Sequence, residues 1–127
     1  MAVHAVPKPT PRWREKAEKV AEQAKAQKIC YALVDKRDGY CCRVCHKRVG
    51  GVGMLVAVHH HHLVFRSKGG QHETANVVSL CVACHQLQHD GLIRLSGDAD
   101  ARSPIGVLNG VKLERPTAAG WVVECWR

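Results

Sequence analysis

The chain has few large aromatic side chains: one Phe, two Tyr and three Trp among 127 residues. A chain of this length is expected to form a single domain with a modest hydrophobic core. Because so few aromatic rings are available, that core should be thin. A bound structural metal would compensate for it.

Long apolar runs are also missing. No segment approaches the roughly 18–20 apolar residues that span a bilayer, and residues 1–12 hold three Pro but no apolar run typical of a signal peptide. The seven cysteines are odd in number, and four of them form two C-x2-C pairs, which is metal spacing rather than a disulfide framework. We therefore expect a reduced, intracellular, soluble protein with no membrane partner.

Acidic residues are scarce in the first half of the chain. Residues 1–70 carry 14 Lys or Arg against 5 Asp or Glu, whereas residues 71–127 carry 5 against 6. The whole formal charge of +8 thus lies on the N-terminal side. Such asymmetry predicts a polyanionic partner, with solubility alone as the alternative explanation.

The hydrophobic pattern predicts an α+β domain over residues 12–127, preceded by a flexible Pro-rich arm at 1–11. Thr10 is the expected N-cap and Pro11 the first residue of a helix that ends near Arg37. The first part of this helix is expected to be solvated, with docking along a phosphate backbone as the alternative. Strands are predicted at 54–58, 92–95, 105–113 and 121–126, a helix at 81–90, and a hairpin from the last two strands.

Thiolates of the two C-x2-C pairs match a tetrahedral zinc site; they are Cys42, Cys45, Cys81 and Cys84. The first pair should lie on a zinc knuckle of two short strands. Four protein ligands leave no open position, so this zinc is predicted to be structural. Cys41 is an alternative to Cys42 but would give C-x3-C spacing.

A second metal site is predicted from histidines. His85 and His89 lie four residues apart on the predicted helix and therefore share one face. A third ligand must come from elsewhere, and the run 59–62 follows a predicted strand. On a strand, His59 and His61 face one side and His60 and His62 the other. The remaining histidines, His4, His46 and His72, have no such spacing and are expected to be bystanders.

The order of these elements resembles the HNH endonuclease family, which has a ββα-metal fold. The matching stretch covers residues 37–91 and runs through Cys42-x2-Cys45, His61-His62-x3-Arg66-Ser-x-Gly-Gly70, Asn76 and Leu80-Cys81-x2-Cys84-His85-x3-His89. The resemblance implies a small zinc-stabilised, treble-clef-like core with the N-terminal helix and C-terminal hairpin added. Phage-encoded members are especially similar, which implies a phage origin and the cytoplasm of a bacterial host.

The family also implies a role for each matching residue. His61, His85 and His89 would hold one catalytic divalent ion (Mg²⁺, Mn²⁺, Ni²⁺ or Zn²⁺), and His62 would be the general base. Asn76 would hold the loop that carries the base. Arg66 would meet the phosphate. Further contacts to DNA are assigned to basic side chains of the same region: Lys68, Arg43, Lys47 and Arg48.

The four consecutive histidines leave the register open. Counting back from Arg66-Ser67 and Gly69-Gly70 selects His61 as ligand and His62 as base, with His60 and His61 as the rival pair. The implied function is metal-dependent hydrolysis of DNA phosphodiester bonds with weak sequence selectivity. The alternatives are a zinc-stabilised DNA-binding module without chemistry, and an accessory protein that docks to a phage terminase through the terminal hairpin.

Overall fold

A computed structural model describes residues 5–50 and 57–127. Helix α1 spans Arg12–Arg37. Strand β1 (His59–His62) is followed by two 3₁₀ turns, β2 (Val77–Leu80) and helix α2 (Val82–His89). The chain ends with β3 (Arg94–Gly97), β4 (Val111–Thr117) and β5 (Gly120–Trp126). This order is the predicted α+β arrangement of an N-terminal helix, a ββα core and a C-terminal hairpin.

The strands form two separate antiparallel sheets. In the first, β1 pairs with β2, so that His59 lies opposite Leu80 and His62 opposite Val77. In the second, β4 lies between β3 and β5. The hydrophobic core sits between these sheets and α2, and its fully buried members include Leu80, Ile93 and Val111.

A second, smaller cluster attaches α1 to the first sheet. Cys30 and Val34 of α1 pack on Val77 of β2. The guanidinium of Arg37 then donates hydrogen bonds to the carbonyl oxygens of Thr74 and Val77. Only the C-terminal part of α1 is therefore held by the domain, and residues 12–26 are exposed.

Several element boundaries differ from the sequence predictions. Helix α1 begins at Arg12 rather than Pro11, because Pro11 has an extended ψ of 140° and caps the helix through its carbonyl. Strand β3 begins at Arg94, since the amide of Leu92 still bonds to Leu87 at the end of α2. The expected strand at 105–113 forms only from Val111, and Ile105 is 86% exposed in the preceding loop.

The zinc knuckle contains one isolated bridge, between Cys41 and Arg48, instead of two short strands. The predicted strand at 54–58 lies mostly outside the described residues. Within the described ranges, no helix is long and apolar enough to span a bilayer.

Candidate nuclease site

Four cysteines converge from two elements at one end of the core. Cys42 and Cys45 lie on the knuckle, where the amide of Cys42 bonds to the carbonyl of Lys47 at 2.7 Å. Cys81 caps the N-terminus of α2, and Cys84 lies in its first turn. Their Sγ atoms all lie within 4.8 Å of one another, which is the spacing required to hold one tetrahedral ion.

Burial disfavours the charged thiolate form of these side chains. Burial raises the pKa of Cys42 and of Cys84. Burial acts the same way on Cys81, but hydrogen bonds from Cys84 outweigh it and lower the pKa of Cys81. Buried thiols with raised pKa values become thiolates only when a positive charge compensates them, so the donor set fits a zinc ion.

The neighbouring cysteine does not join this cluster. Cys41 places its Sγ 3.4 Å from the carbonyl oxygen of Gly39, outside the group of four. The C-x2-C spacing thus selected the cysteine that the fold brings to the cluster.

The histidine run alternates between two faces, as its strand conformation predicts. His59 and His61 face α2, with ring centroids 4.7 and 6.1 Å from that of His85. His60 faces α1 instead, stacks on Tyr31 at 4.0 Å, and places Nε2 2.6 Å from Asp35. The rival ligand His60 is thereby turned away from the histidines of α2.

His61, His85 and His89 form the candidate metal-binding face. The centroids of His85 and His89 are 4.5 Å apart. Their ring nitrogens are more widely spaced than the sulfurs: within residues 5–50 and 57–127, no three histidines bring ligand atoms within 4.8 Å. A shared ion would draw these rings together.

The electrostatics of this face favour neutral imidazole, the form that binds a metal. His61 is 5% exposed, and burial, with His85 as the next cause, lowers its pKa to about 4. Burial and the adjacent His59 lower the pKa of His85 as well. Neutral imidazoles that converge on one side suit a divalent ion such as zinc or nickel.

Asn76 closes the loop that leaves β1. Its Oδ1 accepts from the amide of Val64 at 2.8 Å, and its Nδ2 donates to the carbonyl oxygens of Val64 and Gln71 at 3.1 Å. Gly70 fits beneath this link, since a Cβ there would lie 1.8 Å from the carbonyl oxygen of Val64. Of the two glycines in the motif, Gly70 is therefore the one that this close approach requires.

Comparison with models of protein families finds a match over the part of the chain that holds these cysteines and histidines. Residues 40–91 match the model of the HNH endonuclease family. For this stretch, the match confirms the family resemblance predicted from the sequence. No protein of curated function and no solved structure matches the chain.

The basic residues assigned to DNA occupy two different environments in and around the HNH domain. Arg66, Lys68, Lys47 and Arg48 are exposed. Arg43 is 4% exposed, and its guanidinium donates to Asp38 and to the carbonyl oxygen of Ala99, each at 2.9 Å. Arg43 thus ties the knuckle to the segment that follows β3, and Asp38 compensates its charge.

One histidine classed as a bystander lies in the site. His72 places Nδ1 3.1 Å from Nε2 of His62. Burial and, next, His72 lower the pKa of His62, while burial and Arg66 lower that of His72. Spacing could not reveal this contact, because His72 belongs to a loop whose path depends on the link made by Asn76.

Proposed function

We propose that the chain is a metal-dependent endonuclease that hydrolyses DNA phosphodiester bonds. The observation that carries this proposal is the placement of His61, His85 and His89 on one side of the HNH match, with His62 adjacent on β1. Zinc in the four-cysteine site would be structural, because its four ligands leave no position for a substrate.

The histidine face and His62 have separate tasks in the proposed reaction. His61, His85 and His89 would hold a divalent ion, which supplies Lewis acidity to the scissile phosphate and the leaving oxygen. His62 would remove a proton from the attacking water. Its lowered pKa keeps the imidazole neutral, and therefore able to accept that proton, at neutral pH.

The remaining residues of the site position the DNA and the base. Asn76 fixes the start of the loop that follows His62. Arg66 and Lys68 are exposed on that loop and would pair with backbone phosphates. Such contacts are independent of base sequence and weaken as salt is raised.

Nicking of supercoiled plasmid tests the proposal. The full chain, loaded with zinc, is assayed with Mg²⁺, Mn²⁺, Ni²⁺ or added Zn²⁺, and wild type is compared with His62→Ala. We expect nicking with at least one ion and a loss of about 10²–10⁴-fold in rate for His62→Ala. The control is His46→Asn, because His46 is exposed and its φ of +62° suits asparagine.

Two results would contradict the proposal. Absence of nicking with all four ions would favour the zinc-stabilised DNA-binding module. Full activity in His62→Ala, with loss in both His60→Ala and His61→Ala, would transfer the role of base to His61. The control must nick like wild type for either conclusion to hold.

Docking to a larger DNA-processing assembly is a second candidate role, compatible with the first. It is favoured by large apolar side chains exposed on β5: Trp121, Val122, Val123 and Trp126. If the hairpin serves only for docking, the double substitution Val122→Thr and Val123→Thr, which makes this surface more polar, should leave plasmid nicking intact.

A further inference from the structure

The contact between His62 and His72 links the proposed base to a loop outside the ββα elements. The rings meet edge to face, with centroids 5.1 Å apart and planes inclined by 66°. Tyr31 of α1 lies against both rings, at 6.2 Å from His62 and 6.1 Å from His72. The two histidines and Tyr31 thus bring together β1, the loop that follows it and α1.

A hydrogen bond between two neutral imidazoles has two possible arrangements. In the first, Nε2–H of His62 donates to Nδ1 of His72, and Nδ1 of His62 keeps a free lone pair. In the second, Nδ1–H of His72 donates to Nε2 of His62, and the proton of His62 sits on Nδ1. Only the first arrangement leaves His62 a nitrogen that can accept a proton from water.

The proposed role of His62 as the base requires the first arrangement. His72 meets Nε2 of His62 through its Nδ1, and its own Nε2 is covered and has no hydrogen-bond partner in the described part of the chain. Within the described residues, no contact to Nε2 of His72 therefore forces the second arrangement.

We propose that His72 is a positioning residue: its Nδ1 accepts the Nε2 proton of His62 and so holds His62 with Nδ1 free to act as the base. This inference rests on the proposed nuclease function.

Two substitutions separate positioning from packing. His72→Ala removes the acceptor, whereas His72→Asn retains an acceptor oxygen near the position of Nδ1. We expect His72→Ala to lower kcat for plasmid nicking about 10–100-fold, part of the factor supplied by a general base, with KM within about twofold of wild type. His72→Asn should recover kcat to within about fivefold. Glu73→Gln, one residue along the same exposed loop, is the matched control and should keep wild-type kcat.

A spectroscopic measurement tests the hydrogen bond without relying on activity. With ¹⁵N-labelled histidine, the wild-type chain should show a slowly exchanging proton on Nε2 of His62. That signal should vanish in His72→Ala and return in His72→Asn.

Each contrary outcome has a distinct meaning. Wild-type kcat in His72→Ala, or a change confined to KM, would overturn the positioning role, as would a His62 proton found on Nδ1. If the wild type nicks no DNA, the nuclease proposal fails, while the imidazole signal still decides whether His62 donates to His72.

Discussion

Nε2 of His60 lies 2.6 Å from Oδ1 of Asp35, so the N-terminal helix binds directly to the histidine strand. Asp35 also accepts a hydrogen bond from Ser79 Oγ of β2. One carboxylate thus connects α1 to both strands of the first sheet. The four consecutive histidines are therefore divided between this structural contact and the candidate metal-binding face.

The first prediction concerns the coupling between Asp35 and His60. In a double-mutant cycle with Asp35→Asn and His60→Gln, we expect a coupling free energy of about 1.5–3 kcal/mol in urea unfolding, typical of a hydrogen bond to a charged group. The pair Arg115 and Glu124, an exposed contact on the hairpin, serves as control and should couple by less than about 1 kcal/mol. Additive effects of Asp35→Asn and His60→Gln would contradict the contact.

The second prediction concerns the sulfur cluster. Cys84→Ser should lose its zinc and unfold, because structural zinc contributes about 10–16 kcal/mol, comparable to the entire stability of about 5–15 kcal/mol of a small domain. Zinc content by elemental analysis and far-UV circular dichroism measure the two effects. Cys41→Ser is the control and should retain both zinc and fold, since Cys41 lies outside the cluster. A folded, zinc-free Cys84→Ser protein would show that the site is not structural.

Short-range spacing was sufficient to predict the cysteine cluster and the faces of the histidine strand. A C-x2-C pair brings two sulfurs together through local backbone geometry, and alternation on β1 follows from the period of a strand. The shared orientation of His85 and His89 was predictable for the same reason, because residues four apart on one helix lie on one face. Each of these features is determined by a few neighbouring residues and depends little on the rest of the fold.

Contacts between distant segments were not predictable. Asp35 meets His60 across 25 positions because Arg37 and Val34 fix the docking of α1 on β2. His72 meets His62 because Asn76 folds the intervening loop back on itself. The start of β4 depends on which residues of β3 it pairs with, and the apolar residues at 105–108 give no sign that they form a loop.

The third prediction concerns the loop link made by Asn76. Asn76→Ala removes three hydrogen bonds, so we expect a loss of about 1–2 kcal/mol in stability and faster hydrogen exchange in residues 63–72. Nicking should fall about tenfold or more, because His62, the proposed base, immediately precedes this loop. Asn109→Ala, in an exposed loop of the second sheet, is the control. Unchanged exchange at residues 63–72 would show that Asn76 does not hold the loop.

The fourth prediction concerns the exposed Arg66. Arg66→Ala should weaken DNA binding and reduce the slope of log K against log salt by about one, as expected for the loss of one phosphate contact. Fluorescence anisotropy with a short duplex at several salt concentrations measures both quantities. Arg115→Ala on the hairpin removes the same charge and should leave the slope unchanged. Equal slopes for the Arg66 variant and wild type would exclude Arg66 from the DNA contacts.

The last prediction concerns the pH dependence of stability conferred by His61. Its pKa is about 4 in the folded protein against 6.5 as the ordinary value, so between these pH values the unfolded chain binds the extra proton. Stability from this residue is therefore present above about pH 6.5 and is lost as pH falls. Between about pH 7 and about pH 5 the loss should be about 2 kcal/mol, at 1.36 kcal/mol per unit of pKa.

His61→Gln isolates this contribution. The pKa is also lowered for His62, His72 and His85, and these shifts act in the same direction. They are present in both proteins, and both proteins would also release zinc in acid. Urea unfolding at about pH 7 and about pH 5 should therefore show a stability loss smaller by about 2 kcal/mol in His61→Gln than in wild type. Parallel losses in the two proteins would mean that His61 is not held neutral by burial, and the case for His61 as a ready metal ligand would weaken with it.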